Sequence, residues 1–504
     1  MKRLADLLRD VPFEPVAGEV GVPVRDIVSD SRLVQPGDVF VCLPGYRSEG
    51  GEVRADRHEF IAAALAHGAS ALVVDRQVAH SHQVTIVRVP DCWSAIGHMA
   101  CEFFDHPSRA LTVIGVTGTS GKTSTTYFIE SVLAAAGMTT ARLGTIEYRL
   151  GETVLPAAQT TPEAPELQRL LRRALDQGCR AVVMEVSSHA LELRRVAGIA
   201  FDVAVFTNLS QDHLNFHPDM QHYVRAKGRL FAELGSGGKT ATAVVNADDE
   251  SSAHIIAMNR GRLLTYGIER PADVRARRIE TGAAGTRFVA TTPEREIAVS
   301  LPHLGEYHVY NALAAIGAAV SLGVSLEDVR RGLAATPPIP GRFELVDCGQ
   351  DFTVAVDYAH KPDALDRVLR SARKLTAHRL LTVFGCGGDR DRSKRPLMGR
   401  IAAELSDLVI VTSDNPRSEL PEQIIAEIMA GARQVPGCGE RVIAEADRSR
   451  AIDSAIQRAG AGDLVVIAGK GHEAYQLFAG RRIHFDDREH ARAALRRRLS
   501  TATR

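Results

Sequence analysis

Leu111-Thr-Val-Ile-Gly-Val-Thr-Gly-Thr-Ser-Gly-Lys-Thr123 is an apolar run that breaks into a glycine-rich turn and ends on Gly-Lys-Thr. Its first half reads as a buried strand, and Thr123 to Ala136 reads as a helix. A strand, a glycine turn and a helix in that order place backbone N–H groups and a helix N-terminus where they can cradle phosphate oxygens. In such a loop Gly118, Thr119, Ser120 and Gly121 form the cradle, Lys122 reaches the terminal phosphates of ATP, and Thr123 holds Mg2+. The loop is shorter than the common G-x-x-x-x-G-K-[ST] pattern, because Val116 stands where the first glycine belongs and Gly118 is the near glycine.

Outward from this loop the chain keeps an α/β rhythm. Strand candidates Ala181 to Val186, Val203 to Phe206 and Thr242 to Asn246 alternate with helical segments, as in a parallel sheet with crossovers. Upstream, from Val24 to Pro107, short β-rich runs (38–43, 71–74, 84–89) flank a helical pattern at 60–68 and form a smaller α/β domain. Downstream, the proline-rich stretch Thr336-Pro-Pro-Ile-Pro-Gly341 marks a linker, since successive prolines continue neither a helix nor a central strand. Beyond it, strands are expected at 352–357, 380–385, 408–412 and 463–468, each ending in a polar or glycine-rich segment where ligands of open parallel sheets gather. These readings give three α/β domains: 1–108, 109–340 and 341–504. The arginine-rich run Arg492 to Arg498 reads as a solvated helix face.

Bulk composition narrows the function classes. The chain has 504 residues, 45% hydrophobic and 24% charged, as expected of a soluble globular protein. Lys plus Arg and Asp plus Glu both total 61, so there is no global basic field for nucleic acid, and anion binding must be local. The seven cysteines are scattered and include no C-x-x-C pair, which argues against a disulfide framework or a zinc site and for a reducing compartment. Met1 to Pro15 is interrupted by charges, unlike a signal peptide or membrane span. A cytoplasmic protein without a membrane span is expected.

The shortened Thr-Gly-Thr-Ser-Gly-Lys-Thr loop resembles that of the Mur ligases, ATP-dependent amide-forming enzymes of peptidoglycan assembly. The resemblance continues in order through Thr160-Thr-Pro162, Met184-Glu-Val-Ser-Ser-His-Ala-Leu191, Thr207-Asn-Leu-Ser-Gln-Asp-His-Leu214, Asn246-Ala-Asp-Asp249, Gly341-Arg342, Asp357-Tyr-Ala-His360 and Gly385-Cys-Gly-Gly-Asp-Arg390. It is strongest to the MurE type, which adds the third amino acid of the peptide. The resemblance implies an N-terminal UDP-binding α/β domain, a central P-loop ATPase-like parallel sheet and a C-terminal Rossmann-like domain. A monomer acting on small-molecule substrates is expected.

Residue by residue, the resemblance implies that Lys122, Glu185, His213, Lys227 and Arg342 serve catalysis. Thr123, Glu185, His213 and Lys227, the last as a carbamate, would hold metal; a carbamate turns a cation into an oxygen anion that a hard metal accepts. Arg342 would reach the ATP phosphates on domain closure, with Asn311, Asp357 and His360 on the adenosine side. Lys361 and His308 depart from the family's usual residues here. Ser29-Asp-Ser-Arg32, with Ser31 foremost, resembles the uridine signature, although Tyr46 replaces a frequent histidine and the loop from Arg47 to Arg57 is extended. Thr160, Thr161, Ser187 and Arg195 would hold the D-glutamate end of a UDP-muramoyl dipeptide.

The segment Ser413-Asp-Asn-Pro-Arg-Ser-Glu419 bears on which amino acid is added. Meso-diaminopimelate differs from lysine by a carboxylate on its distal carbon, and Arg417 can grip that group through two parallel hydrogen bonds. Arg390, Asp414, Asn415, Gly469 and Glu473 complete the expected pocket, with Glu473 suited to the distal ammonium. The rival readings are the same fold adding L-lysine, a folylpolyglutamate-type ligase, and a nucleotide-binding paralogue without catalysis.

Overall fold

The Leu111 run forms the strand Thr112–Thr117 in the interior of a parallel sheet. A computed structural model describes residues 1–47, 53–79, 84–282 and 285–502. Thr112–Thr117 pairs in parallel with Ala181–Glu185 on one side and Val203–Phe206 on the other. The parallel set extends to Thr140–Leu143 on the first side and to Thr242–Asn246 and Arg262–Gly267 on the second. All five residues of Ala181–Glu185 are buried, the expected state of a parallel strand covered on both faces by helices. The helix Ala164–Asp176 supplies one cover: Leu167, Leu170, Leu171 and Ala174 recur at helical spacing and are buried, and Pro165 starts the helix where its missing N–H costs nothing. Parallel strands share one carboxyl edge, so Thr117, Glu185, Phe206 and Asn246 all end there.

The chain groups into two compact units. The first comprises Met1–Arg275, Thr291–Arg295 and Ala312–Gly332. It holds the parallel sheet and an N-terminal five-stranded sheet ordered Glu14–Ala17, Thr85–Arg88, Ala71–Val74, Val39–Val41, Ile27–Val28. These two sheets pack closely: a Cβ on Gly97 would sit 2.9 Å from the Ala197 methyl, and Arg169 pairs with Asp26 at 2.8 Å. The helical pattern at 60–68 forms the helix Ile61–Ala66, preceded by a 3-10 turn, Arg57–Phe60, which Asp56 caps by accepting from the His58 N–H. The loop segment 48–52 lies outside the described residues.

The second unit comprises Ala276–Ala290, Glu296–Asn311 and Leu333–Arg504. Its six-stranded sheet runs Glu344–Leu345, Thr353–Asp357, Leu464–Ala468, Leu380–Phe384, Leu408–Val411, Val442–Ala444, parallel except for the first strand. Sequence reading did not anticipate Val274–Gly282, Gly285–Thr291 and Glu296–Leu301. The last alternates exposed and buried residues, with Ile297, Val299 and Leu301 turned inward. The Arg492 to Arg498 run lies on the helix Asp487–Ala502, with Arg492, Arg496 and Arg497 exposed. Among the described residues no helix is long and apolar enough to cross a membrane.

Candidate active site

Two glycines in unusual backbone conformations shape the phosphate loop. Gly118 has φ of +148°, and a Cβ there would lie 1.8 Å from Thr207 Oγ1. Gly121, at φ of +85°, caps the helix Lys122–Ala135. The Thr207-Asn208 segment braces the loop from below: Thr119 N donates to Asn208 O at 2.8 Å, Ser120 N to Asn208 Oδ1 at 3.0 Å, and Thr207 Oγ1 to Ser120 O at 2.7 Å. Lys122 curls back to donate to Gly118 O and Thr119 O at 2.9 and 3.1 Å. Lys227, on the helix Met220–Ala232, is 1% exposed and donates to Gly118 O at 2.8 Å, with its Nζ 4.5 Å from the centre of the Tyr223 ring. The loop is therefore lined by two cations and a helix N-terminus, a suitable environment for phosphate oxygens.

Glu185, at the carboxyl end of its strand, is 1% exposed. It accepts hydrogen bonds from Thr123 Oγ1 (3.0 Å), Thr145 N (2.9 Å) and Thr145 Oγ1 (3.1 Å). A buried carboxylate held by hydroxyls and an amide beside a phosphate loop is a poised anionic site. Thr160 Oγ1 lies 3.1 Å from Thr145 Oγ1, and Thr161 Oγ1 donates to Glu185 O at 2.8 Å while accepting from Ser187 N at 3.0 Å. Arg195, 5% exposed, donates to Thr161 O at 3.1 Å and reaches Tyr46 Oη at 3.4 Å. Thr160, Thr161, Ser187 and Arg195 therefore form one polar strip running from Glu185, and Tyr46 stands at its far end. Ser31 is buried in the turn Ser31–Leu33, which Asp30 caps.

His213 occupies the loop after Thr207, in a left-handed conformation at φ of +54°, with Nε2 2.8 Å from Asp212. It meets the His189 ring edge-on at 4.8 Å. Burial drives the His189 pKa down to about 2, so that ring is neutral at any physiological pH.

In the second unit the carboxyl ends of the strands carry the other set. The loops 385–390 and 413–419 are knitted together: Gly388 N donates to Asn415 O at 2.9 Å, Asp389 N to Glu419 Oε1 at 2.6 Å, and Arg417 Nη1 to Gly388 O at 2.8 Å. Arg417 is half-buried in a left-handed conformation, φ +55°, and its backbone bonds Leu477 O and Ala479 N at 2.9 and 2.6 Å. Arg390 Nη1 donates to Asp389 O at 2.9 Å. Asn415 Nδ2 donates to Glu473 Oε2 at 2.9 Å, and Asp414 is 6% exposed. At Gly469, φ +116°, a Cβ would lie 2.8 Å from Asp414 Oδ2. Elsewhere in the unit, Arg342 stacks over the Tyr358 ring at 4.6 Å. Asp357 accepts from Phe343 N and Ala359 N, both at 2.8 Å, and burial raises its pKa to about 6. His360 Nδ1 bonds Tyr358 O at 2.8 Å, and Asn311 is buried on the helix Glu306–Ser321.

Three family patterns match the chain: the Mur ligase family catalytic domain over residues 23–103, the Mur ligase middle domain over 116–319, and the Mur ligase glutamate ligase domain over 341–471. A protein of Syntrophomonas wolfei named UDP-N-acetylmuramoyl-L-alanyl-D-glutamate--2,6-diaminopimelate ligase is 43% identical over 494 residues, covering 98% of this chain and 99% of that protein. The chain belongs to the Mur ligase family. A Gloeobacter violaceus Mur ligase with the same name is 46% identical over 481 residues, covering 95% of each chain. A solved structure titled as that ligase superposes with a TM-score of 0.70 at 34% identity, covering 99% of both chains.

The family implies magnesium, and the donor set of this Mur ligase suits it. Thr123 and Glu185 present oxygen donors side by side, and magnesium is commonly held by one or two carboxylates together with substrate phosphates. Among the described residues no group of three or more His, Cys, Asp or Glu is arranged to hold a metal by itself. Lys227 could join this set only as an oxygen anion; as an ammonium it is a donor to Gly118 O.

Sequence reading did not single out several residues that shape this Mur ligase site. Thr145 lies outside the quoted motifs yet makes two of the Glu185 hydrogen bonds. Arg395, 0% exposed, forks onto Glu419 at 2.8 and 2.9 Å and onto Glu427 at 2.9 Å, and this pairing pulls the Glu419 pKa down to about 2. Its only sequence signal is an arginine on the apolar side of a helix.

Proposed function

We propose that the chain is an ATP-dependent ligase that joins meso-diaminopimelate to the D-glutamyl carboxyl of UDP-N-acetylmuramoyl-L-Ala-D-Glu in peptidoglycan synthesis. The observation that carries this reading is the Asp414-Asn-Pro-Arg417 loop. Arg417 is held in a left-handed turn against the Asn415 carbonyl, and the Asn415 amide donates to Glu473, which offers a guanidinium and a carboxylate to an amino acid whose distal carbon bears both a carboxylate and an ammonium. The three family matches support a division of labour among UDP binding at 1–108, ATP at 109–340 and the incoming amino acid at 341–504.

In the first step a D-glutamyl carboxylate oxygen attacks the γ-phosphorus of ATP. An O–P bond forms, the bridge to the β-phosphate breaks, and ADP leaves with that electron pair. The amine of diaminopimelate then attacks the acyl carbon, inorganic phosphate departs with the C–O pair, and the amine loses a proton as the amide forms. Phosphoryl transfer of this kind depends on positioning and charge neutralisation. The Gly118–Gly121 backbone and Lys122 orient and neutralise the phosphates. Thr160, Thr161, Ser187 and Arg195 present the D-glutamyl end, with Arg195 pairing its carboxylates. Thr123 and Glu185, with His213 and a carbamylated Lys227, would hold magnesium, which when bound draws negative charge off the transferring phosphoryl oxygens. Arg342, Asp357, His360 and Asn311 are assigned to the nucleotide, and Ser31 to the uridine. A UDP-linked substrate and an ATP-driven step suit the cytoplasm.

The test is ADP release by purified protein given UDP-muramoyl-L-Ala-D-Glu and either meso-diaminopimelate or L-lysine. Diaminopimelate should be preferred by at least about a hundredfold in kcat/KM, because lysine leaves the Arg417 side of the pocket unpaired. Arg417→Ala should remove most of that preference, and Arg417→Lys should not restore it, since an ammonium cannot make the paired hydrogen bonds. Equal turnover with lysine would refute the substrate assignment. Turnover with neither would favour a non-catalytic nucleotide-binding protein.

A further inference from the structure

Lys470 is 0% exposed and is flanked by two glycines at positive φ, Gly469 at +116° and Gly471 at +53°. Its Nζ donates to Asn415 Oδ1 at 3.2 Å and lies 3.5 Å from Glu473 Oε2 and 3.9 Å from Asp414 Oδ1. A fully buried lysine is costly unless paired, so its placement here calls for a reason.

The hydrogen bonds supply one. Asn415 Oδ1 accepts from both Lys470 Nζ and the Leu477 N–H, at 3.2 and 3.1 Å. Two donors on that oxygen fix which end of the amide is which. The amide N–H edge therefore faces Glu473, to which it donates at 2.9 Å. Charge gives the second part. Asp414 and Glu473 carry two negative charges, Lys470 returns one positive, and Arg448 is already matched by Asp487 in a two-bond pair at 2.7 Å. One negative charge is left for an entering ammonium.

We infer that Lys470 is a positioning residue for amino-acid selection: it locks the Asn415 amide with its donors turned inward and keeps Glu473 ionised to receive a substrate ammonium. This rests on the diaminopimelate reading above. The groups facing Glu473 are Asp414, Lys470, Asn415, Arg448, Tyr358 and Tyr475. Burial first, and then Asp414, push the Glu473 carboxyl above its ordinary range, while Lys470 opposes that push.

The experiment compares wild type, Lys470→Met and Lys470→Gln in steady-state ADP release across pH, varying meso-diaminopimelate at saturating ATP and UDP-muramoyl-L-Ala-D-Glu. Lys470→Met should raise KM for diaminopimelate about tenfold or more, with a smaller effect on kcat and on KM for ATP. In both variants the acid limb of kcat/KM should move to higher pH. Lys470→Gln can still donate to Asn415, so it should recover toward wild type as pH rises, whereas Lys470→Met should not recover fully. An unshifted acid limb in the glutamine variant, or equal loss in every kinetic constant, would overturn the inference, and the glutamine variant answers the question should the methionine variant fail to fold. Wild type that uses no diaminopimelate would instead refute the underlying substrate reading. Lysine turnover by wild type with these pH shifts intact would separate the two.

Discussion

At Gly118 a single hydrogen atom in place of a methyl group decides whether the phosphate loop can close. The residue sits at φ of +148°, and a Cβ would fall 1.8 Å from Thr207 Oγ1, the group that anchors Ser120 O. Gly118→Ala must therefore either displace the Thr207 strand end or open the loop. Backbone strain of this kind costs about 1–3 kcal/mol, which the fold can absorb, but the loop geometry cannot survive it. The expected result is a protein that folds, with a modestly lower thermal midpoint, and loses about a hundredfold or more in ATP-dependent turnover. Calorimetry and ADP release on the same preparation check both halves. Residues like this were legible in advance because their chemistry is local: Gly118, Lys122 and Thr123 sit within one short stretch between a strand and a helix. Thr145 was not, because it acts only through a partner brought close by the sheet, and nothing in its neighbours' spacing marks it.

At the scale of elements, strand ends are held in register by a buried ion pair. Arg448 opens the helix Arg448–Arg458 and Asp487 opens Asp487–Ala502; both side chains are 0% exposed. Beyond its two bonds to Asp487, Arg448 donates to Ser413 O at 3.1 Å and Ala468 O at 2.9 Å, the carbonyls from which the 414–417 and 469–473 loops depart. Asp487→Asn leaves a buried guanidinium without its counter-charge and should cost about 3–5 kcal/mol in urea unfolding of the second unit. The double variant Arg448→Met with Asp487→Leu should recover only part of this, because the two carbonyls lose their donor. Full recovery would mean that the carbonyl bonds contribute little. The strands themselves were readable from their apolar runs. The pair was not readable, since its members stand 39 residues apart in a region rich in charge. The close packing of Gly97 on Ala197 was hidden for a similar reason, since it has no signature in either segment alone.

Across the whole molecule, buried histidines set the response to acid. Burial lowers the pKa of His189 to about 2, of His217 to about 4 and of His303 to about 4, from an ordinary 6.5. Each is buried, at 1%, 2% and 7% exposure. A histidine with a depressed folded pKa is neutral in both states above 6.5, so stability there is complete. As pH falls below 6.5 the unfolded chain takes up the proton first, and stability is lost until the folded value is reached. Asp357 works in the opposite sense: its folded pKa of about 6 against an ordinary 3.8 means that the fold gains stability as pH drops through that interval. Burial also lowers the pKa of His308, His472 and His490 and raises that of Glu473, so six rings against two carboxyls leave a net loss. Each unopposed ring contributes about 1.4 kcal/mol per pH unit, so the urea midpoint should fall steeply between about pH 6.5 and about pH 4. His303 is the cleanest test, because its Nε2 bonds Pro337 O at 3.1 Å and a glutamine amide can replace that donor. His303→Gln should flatten the slope by about one ring's worth in this window while leaving stability near pH 8 nearly unchanged, and an unaltered slope would show that His303 takes up no proton on acid unfolding.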